Sequence, residues 1–510
     1  MLQFVARFAS LIYGVLSGFD RVRFRGTQRA ISYARGFDAM LHAHGVLLKD
    51  YSKYVESVTA RLSKQVVGDA AALGVPVVYV ERSSISKEAL AAELAAKAGR
   101  THGLLAILKA LEPCRTFEVR KNHTLGRLEL RSRAAKCLHY YHYWMDPLLG
   151  PCHVRTQTWF PFNVFVCVNG REMLARRMTS EGIEFRQRDN CFSWVADVPR
   201  AQALLDEQVR LDWSKELTRL VDATHPQLRS FSALNRDYYW SAEQTEWATD
   251  VMFRRQSELK PWVTRFIEHS LLSLNCGHVM RFLGRRVNRD GTVLENFKGE
   301  VGTDVTRRAE GTRVAFRSNQ NQVKFYDKQG SVLRVETTIN NPEEMKSFRP
   351  SESDPDGPKK WRGMKKGVSD LPRRTEISQK TNERCLESLA TVDLPETVAS
   401  TVETVCRRSR RNGRTVRALN PLGGEDAKLL HAIGSGDYLL SGFRNREIRA
   451  ALACSPAAAT YRLGLLRAHK VIQKISGTHR YQITSFGRKL LAALAKTQRQ
   501  AIDEKLSSVP

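Results

Sequence analysis

Two runs of strand-like segments constrain the fold of this chain more than any other feature of its sequence. The first run covers residues 115–170 and leads into a helical pattern that begins near Arg171. The second covers residues 312–340 and forms a meander of three segments. Alternation of apolar and polar residues is typical of strands with one buried face, and strands followed by a helix are typical of α+β domains. The sequence therefore predicts an α+β fold with a mixed sheet in its N-terminal part.

Changes in composition along the 510 residues predict a multidomain organisation. The segment "PSESDPDG" (Pro350–Gly357) is a linker, because Pro, Ser, Asp and Gly favour turns. Helical spacing of apolar residues extends to about Gly284, and a further helix is expected over Thr381–Val405. The sequence shows no internal repeat. We predict an α+β sheet domain at residues 1–200, a helical segment plus β-meander at 201–349, a basic linker and helix at 350–425, and a C-terminal domain at 426–510.

The charge balance indicates a polyanionic partner. Lys and Arg number 81 against 53 Asp and Glu, which gives a net charge of +28. Nucleic acid is the commonest partner for such a surplus, and an anionic membrane is the alternative. The apolar start of the chain contains Arg7 and is too short to span a membrane, so we expect a buried amphipathic helix there and no membrane partner. Nine cysteines without a C-x-x-C pair indicate reduced thiols and a cytoplasmic protein.

The last ninety residues have the pattern helix, turn, helix, hairpin, helix. Ser455 followed by Pro456 is a typical helix start, and two alternating segments flank Gly477. This region, residues 426–490, resembles a winged helix of the MarR type. The resemblance implies that Ser455–His469 is the recognition helix and that Lys474–Arg480 is the wing. It places these side chains on the nucleic-acid side: Thr460, Arg462, Arg467, Lys474 and Arg480.

Two basic segments outside this region are expected to hold the nucleic-acid backbone, because lysine and arginine neutralise phosphates. They contribute Lys359 and Lys360 in the linker, and Arg407, Arg408, Arg410 and Arg411 further along. The alanine-rich stretch "SPAAATYRLG" predicts weak or shape-based reading of sequence. A winged helix that docks proteins or packs on a neighbouring domain remains the alternative.

The segment Val323–Asn340 predicts a β-hairpin with an unusual polar face. A three-residue loop, Lys328–Gly330, would place Phe325 opposite Leu333 on an apolar face. The other face would then pair Lys324 with Arg334, next to Tyr326 and Glu336. Two cations opposite each other are unfavourable unless an anion such as a phosphate lies on them. Tyr326 beside them would be a candidate nucleophile toward a phosphodiester, and an exposed, salt-bridged strand face is the alternative.

This hairpin resembles a motif of rolling-circle replication initiators. The matching residues are Tyr326, Asp327, Lys328, Arg334 and Glu336. In that family a His-hydrophobic-His pair binds a divalent ion and a helix-borne tyrosine attacks DNA. Here the one His-x-His, at His42 and His44, lies in a helical context where positions i and i+2 point apart, so no metal site is predicted there. The whole chain also resembles a group of bacterial proteins linked to mobile genetic elements.

Separated carboxylates provide a second enzymatic hypothesis, a nuclease with Mg²⁺ bound by acidic side chains. Asp20 lies on the first predicted strand, and Glu118 and Glu129 lie on later ones. Glu246 and Asp250 are four residues apart and would share one face of a helix. This arrangement resembles that of ribonuclease H-like nucleases. The alternative is that each acid pairs with one of the many arginines.

The segment "KCLHYYHYWMD" contains His139 and His142, which point to opposite faces of a strand and do not predict a joint metal site. Its aromatic residues could form a platform that stacks unpaired bases, with Arg131 and Arg133 nearby for phosphates. A core strand is the alternative.

Together these patterns predict a cytoplasmic nucleic-acid-binding protein of a mobile element, which binds DNA or structured RNA through basic arms and a winged helix. Two alternatives stay open: a strand-processing enzyme that cleaves or transesterifies phosphodiesters, and a transcriptional regulator. A homodimer is a further alternative. The sequence itself does not predict one, because the chain has no heptad pattern.

Overall fold

The computed structural model describes residues 2–82, 84–225, 238–288, 292–308, 311–328, 330–351, 353–390, 392, 398–411, 413–434, 438 and 442–494. The fold is mixed α+β, as predicted, with one large sheet and several layers of helices. Within the described residues, no helix combines the length and hydrophobicity that a membrane crossing requires. All nine cysteines are free thiols, as the absence of C-x-x-C pairs predicted.

The strands are β1 (Ile12–Thr27), β2 (Val77–Tyr79), β3 (Gly103–Asn122), β4 (Arg127–Asp146), β5 (Gly150–Gln157), β6 (Val164–Asn169), β7 (Phe185–Arg188), β8 (Cys191–Val195), β9 (Tyr239–Phe253), β10 (Val301–Arg308), β11 (Gly311–Ser318), β12 (Asn321–Lys328), β13 (Val332–Ile339), β14 (Lys346–Arg349), β15 (Lys360–Gly363), β16 (Ser409–Arg411), β17 (Arg414–Val416), β18 (Phe443–Arg444), β19 (Ile472–Lys474) and β20 (Arg480–Ile483).

The helices are α1 (Leu2–Arg7), α2 (Ala34–Ala43), α3 (Tyr51–Ala72), α4 (Lys87–Lys97), α5 (Gly170–Ser180), α6 (Val198–Val209), α7 (Trp213–Thr224), α8 (Gln256–Leu272), α9 (Cys276–Phe282), α10 (Leu371–Ala390), α11 (Val398–Val405), α12 (Gly424–Ile433), α13 (Asn445–Leu452) and α14 (Pro456–Ala468).

The central sheet has 11 strands in the order β10-β11-β12-β13-β9-β1-β6-β5-β4-β3-β2. Its two halves share a topology that the sequence did not reveal. In each half a long first strand, β1 or β9, is followed by helices and then by four antiparallel strands, the last of which pairs with the first strand. The two first strands pair with each other at the middle of the sheet. Residues on β1 and β9 therefore meet although more than 200 residues separate them.

The two faces of the sheet differ in chemistry. One side, here called the covered face, includes Phe19, Trp247 and Val335 and packs on α2, α3, α7, α8 and α10. The opposite side, here called the polar face, includes Arg21, Glu246 and Glu336. Helix α4 packs on one end of the polar face, and α5 and α6 pack on the other end. The strip of polar face between them includes exposed arginines, so it is accessible to solvent.

The structure corrects two predictions of helix. Residues 239–253, predicted to be helical, form β9, because this segment pairs with β1 on one side and β13 on the other. The N-terminal helix ends at Arg7, and the predicted continuation to Leu16 is the start of β1. In both places long-range strand pairing outweighs local helix propensity. Glu246 and Asp250 nevertheless share a face, since residues four apart do so on a strand as well as on a helix.

The hairpin of β12 and β13 has the predicted faces but a different register. Lys324 pairs with Glu336, and Tyr326 pairs with Arg334, so the predicted opposition of Lys324 and Arg334 is wrong. Likewise Phe325 pairs with Val335 rather than with Leu333. Lys328 belongs to β12 and not to the loop, which shifts β13 by two residues and puts opposite charges next to each other. Gly330 has a φ of 72°, the left-handed conformation expected for a glycine in this loop.

The segment after β13 contains a two-stranded ribbon and a C-terminal hydrophobic cluster. Strands β14 and β15 pair as the ribbon, and α10 and α11 replace the single helix that was expected over Thr381–Val405. Helices α12, α13 and α14 pack around a core that includes Leu466 and Val471. Strands β18, β20 and β19 form a small antiparallel sheet beside these helices. The Arg488 guanidinium donates a hydrogen bond to the Ser273 carbonyl (2.8 Å), which links this cluster to the end of α8.

Candidate functional site

Three carboxylates from three adjacent strands converge on the polar face. Asp20 lies on β1, Glu246 on β9 and Glu336 on β13, and each offers an oxygen within 4.8 Å of the other two. Asp20 and Glu336 are buried, whereas Glu246 is half-buried. The sequence marked all three as candidates but assigned them to separate hypotheses. The structure brings them together, and we call them the carboxylate cluster.

A β-bulge on β1 directs Asp20 toward the other two acids. Phe19 pairs with Trp247 and the next ladder pair is Arg21 with Glu246, so Asp20 is the extra residue between them. An unpaired residue of this kind bends the strand and reorients its side chain. Glu246 and Glu336 need no such device, because β9 and β13 are neighbours and both residues face the same side.

A buried arginine lies beside the carboxylate cluster. The Arg334 guanidinium is fully buried and contacts Asp250 through Nε (2.5 Å) and Nη2 (2.8 Å). It also contacts Asp20 (3.2 Å) and donates to the Asn190 carbonyl (2.7 Å). Asp250 receives a second cation, Arg171, at 3.1 Å. Asp250 is therefore neutralised and hydrogen-bonded without any contribution from the cluster.

Glu336 and Asp20 each have further polar partners. Glu336 forms an ion pair with Lys324 (2.8 Å) and accepts a hydrogen bond from the Tyr326 hydroxyl (2.9 Å). The Asn190 amide donates to both oxygens of Asp20, at 2.6 and 2.7 Å. Asn190 lies in the turn between β7 and β8, and Lys328 contacts it and also pairs with Asp189 (3.1 Å). This turn closes one side of the cluster.

Burial and mutual repulsion set the protonation of the three acids. Burial raises the pKa of Asp20, although Arg334 opposes the shift. Burial, together with the charge of Glu336, raises the pKa of Glu246 to about 7. The pKa of Glu336 is lowered despite its burial, because Lys324 and Arg334 stabilise its ionised form. The charge of Glu336 thus disfavours ionisation of Asp20 and Glu246, and a cation bound among the three acids would relieve this repulsion.

Thr338 and Glu246, two polar residues at the carboxylate cluster, have few hydrogen-bond partners among the described residues. The Thr338 side chain is buried, and its hydroxyl has no hydrogen-bond partner in the described part of the chain. Thr338 pairs with Glu246 across the ladder and follows Glu336 on the same face of β13. Glu246 itself accepts one long hydrogen bond, from Gln244 (3.4 Å), and has no ion pair among the described residues. These groups could ligate a cation or hold its water, since buried polar groups usually have partners.

Several predicted roles do not fit this geometry. Tyr326 is buried and hydrogen-bonded to Glu336, and burial raises its pKa well above the usual range, so it is a poor nucleophile. Arg334 was predicted to contact nucleic acid, but it is fully buried and cannot do so. The Lys324 side chain is 13% exposed and forms an ion pair with Glu336. Little of it is therefore free for the phosphate contact that was predicted. Asp250 is saturated by two arginines and is not a free ligand.

The other predicted acids and the aromatic strand lie outside the cluster. Glu118 pairs with Arg120 and Arg133, and Glu129 pairs with Arg131, as the alternative reading of those acids stated. Arg131 and Arg133 remain 58% and 44% exposed on their side chains. The aromatic platform predicted on β4 is not accessible to bases, because its tyrosines, including Tyr140, Tyr141 and Tyr143, are buried.

The predicted basic arms and C-terminal contacts are mostly at the surface. Exposed side chains are those of Lys359, Lys360, Arg407, Arg408, Arg410, Thr460 and Lys474, whereas Arg467 and Arg480 are half-buried and the side chain of Arg411 lies outside the described residues. Arg462 was expected to point outward, but it pairs with Glu425 (2.9 Å) and is 18% exposed. Tyr461, which was not singled out, is 60% exposed on the same helix.

Sequence reasoning missed the groups that support the cluster. Arg171 and Asn190 are distant in sequence from the three acids, and no local motif includes them. Thr338 was visible only as part of the hairpin. The apolar–polar alternation over residues 333–336 of β13 was a usable signal, because it predicts a strand in which Arg334, Glu336 and Thr338 share a face.

Comparison of this chain with protein-family models, with curated proteins and with solved structures finds no match.

Proposed function

We propose that this chain binds nucleic acid and cleaves its phosphodiester bonds at a divalent-cation site formed by Asp20, Glu246 and Glu336. The convergence of these three carboxylates on one sheet face is the observation that supports the proposal most strongly. Hard divalent cations such as Mg²⁺ and Mn²⁺ prefer carboxylate oxygens. The repulsion among the three acids and the Thr338 hydroxyl, which has no hydrogen-bond partner among the described residues, favour the same kind of ligand.

The chemistry expected at such a site is hydrolysis. A divalent cation there would lower the pKa of a bound water and stabilise negative charge on the phosphate. The water oxygen forms a new bond to phosphorus, the bond to one sugar oxygen breaks, and that oxygen takes up a proton. The proton that the attacking water loses would pass to solvent, because all three carboxylates would be occupied as ligands of the cation. Arg21, directly opposite Glu246, is placed to neutralise the phosphate.

The binding half of the proposal rests on charge and on the C-terminal segment. The net charge of +28 favours a polyanion, and most of the predicted basic arms are exposed. Helix α13, helix α14 and strands β19 and β20 follow in the order expected of a winged helix, and in this proposal α14 is the recognition helix. Membership of a mobile element, a cytoplasmic location and the regulator alternative stay predictions.

A cleavage assay tests the proposal. The purified chain is incubated with supercoiled DNA, single-stranded DNA and RNA, in Mg²⁺, Mn²⁺ or EDTA. We expect metal-dependent cleavage of at least one substrate, and a loss of at least about a hundredfold in Glu246→Gln and Glu336→Gln. Glu118→Gln is the matched control, since Glu118 is a half-buried acid on the same sheet that lies outside the carboxylate cluster. Cleavage that survives in both cluster variants, or that is absent from every substrate while nucleic acid still binds, would contradict the catalytic half.

A further inference from the structure

The half of the polar face next to the carboxylate cluster is lined by arginines. Arg21, Arg23 and Arg25 alternate along β1 and so project from the same side of the sheet. Arg21 lies opposite Glu246, and the row therefore begins at the cluster. Alternate residues of a strand are roughly 6.7 Å apart, so the three guanidiniums form a line that leads away from the acids.

These arginines are poorly neutralised by the protein. Arg21 and Arg23 are exposed, and neither forms an ion pair within the described residues. Arg25 is half-buried, donates to the Asn163 side chain (3.2 Å), and has a buried Nε without a partner. Like charges aligned on one face are unfavourable unless an anion lies on them. A row of this kind is therefore suited to successive phosphates.

An aromatic ring lies at the far end of the row. Phe165 on β6 pairs with Arg25 on one side and with Arg155 of β5 on the other, all on the polar face. The two guanidinium carbons lie 5.8 Å (Arg25) and 4.9 Å (Arg155) from the ring centroid. Phe165 is only half-buried, although its neighbours Val164 and Val166 on the covered face are fully buried. A basic track that ends at a partly exposed ring is typical of proteins that bind single strands.

We propose that Arg21, Arg23, Arg25 and Phe165 form a binding track for a single-stranded polynucleotide. The arginines hold successive phosphates, and an unpaired base stacks on Phe165. This inference rests on the proposed function, because the track places the backbone at the carboxylate cluster. An unpaired strand is favoured over a duplex since stacking on Phe165 requires a base that is free of its partner.

Binding without cleavage provides the test. Affinities of the full chain for a labelled oligodeoxythymidylate, an oligouridylate and a DNA duplex of equal length are measured by fluorescence anisotropy in EDTA at several salt concentrations. We expect wild type to bind the single strands at least about tenfold more tightly than Phe165→Leu does. Phe165→Trp, which keeps an aromatic ring, should bind them as tightly as wild type. Arg21→Ala combined with Arg23→Ala should reduce the slope of log affinity against log salt by about 1.4.

Matched controls separate this inference from the proposed function. Arg265→Ala removes one positive charge from α8, which packs on the covered face, and should leave single-strand affinity within about twofold of wild type. Glu246→Gln should abolish cleavage and leave single-strand binding intact. The proposed track is wrong if Phe165→Leu and the Arg21→Ala/Arg23→Ala variant bind single strands with the affinity of wild type. It is also wrong if the duplex binds most tightly and neither variant changes its affinity. In both cases the catalytic proposal stands. Binding that follows the track without any cleavage would overturn the catalytic proposal alone.

Discussion

Arg21 on β1 and Glu246 on β9 face each other across the central ladder of the sheet, so an exposed guanidinium lies beside a half-buried carboxylate. Glu246 raises the pKa of Arg21, and Arg21 in turn opposes the upward shift of the Glu246 pKa. At this pair the carboxylate cluster of the polar face meets the row of arginines on β1. Glu246 and Glu336 lie on β9 and β13, and the row of arginines begins at Arg21 on the adjacent strand β1.

Removal of the Glu246 charge should stabilise the metal-free protein at alkaline pH. The pKa of Glu246 is raised from 4.5 to about 7 in the folded state, so the folded chain holds a proton that the unfolded chain releases in this window. The free energy of unfolding of wild type therefore falls as the pH rises from 4.5 to 7. Glu246→Gln cannot titrate and should be more stable than wild type at pH 8 by about 1–3 kcal/mol, with a smaller difference at pH 4. Chemical denaturation in EDTA at both pH values measures this, and a destabilised variant at pH 8 would contradict it.

Loss of the buried Arg334 charge should have the opposite effect. Its guanidinium contacts both Asp250 and Asp20 in a fully buried position. Arg334→Met leaves those two carboxylates poorly compensated, which should cost about 3–5 kcal/mol of unfolding free energy. Arg317→Met is the control, because Arg317 is 53% exposed on the same face and pairs with the half-exposed Asp304. Equal stability of the two variants would show that the buried ion pairs are not needed.

Tyr326→Phe tests whether the hydroxyl is a nucleophile. The hydroxyl donates to Glu336, and burial raises its pKa, so we assign it to holding Glu336 in place. The variant should retain cleavage activity within about tenfold of wild type, because one neutral hydrogen bond is lost. Any covalent adduct between protein and nucleic acid should be as abundant in the variant as in wild type. Complete loss of cleavage, together with a covalent adduct in wild type alone, would restore the tyrosine mechanism.

The ribbon of β14 and β15 exposes two aromatic residues that a stable fold does not need. Phe348 and Trp361 are 55% and 57% exposed, pair across the ribbon, and have ring centroids 5.5 Å apart. Lys359 and Lys360 adjoin them. Phe348→Ser combined with Trp361→Ser should change the unfolding free energy by less than about 1 kcal/mol, yet lower nucleic-acid affinity at least about fivefold by loss of stacking. Lys97→Ala, on the exposed side of α4, is the control substitution. Unchanged affinity in the double variant would assign the pair to another partner.

The sequence was most informative where structure is local. Alternation predicted the faces of β12 and β13, the cap at Ser455 predicted the start of α14, and Gly330 has the expected conformation. The register of the hairpin was wrong by two residues because the apolar face fits either register. Only the ion pair of Lys324 with Glu336 favours the observed one.

The cluster as a whole could not be predicted, because its members meet through long-range pairing. Glu246 was assigned to a helix, and nothing near it in sequence indicates that β9 pairs with β1 and β13. The bulge that directs Asp20 inward depends on the register of two strands rather than on the residues beside it. The acids were named individually from their residue type, and their common site required the topology of the sheet.

Titration with Mn²⁺ tests whether Asp20, Glu246 and Glu336 bind a divalent cation. Binding to wild type, Glu246→Gln and the control Glu118→Gln is measured by calorimetry between pH 6 and pH 8. We expect a binding site in wild type and in Glu118→Gln. Its affinity should fall about tenfold per pH unit below the Glu246 pKa of about 7 and level off above it, because the cation must displace the Glu246 proton. In Glu246→Gln we expect Mn²⁺ to bind at least about tenfold more weakly than in wild type. Mn²⁺ binding that is absent from wild type, or equal in wild type and Glu246→Gln at pH 8, would contradict the claim that these carboxylates hold a divalent cation.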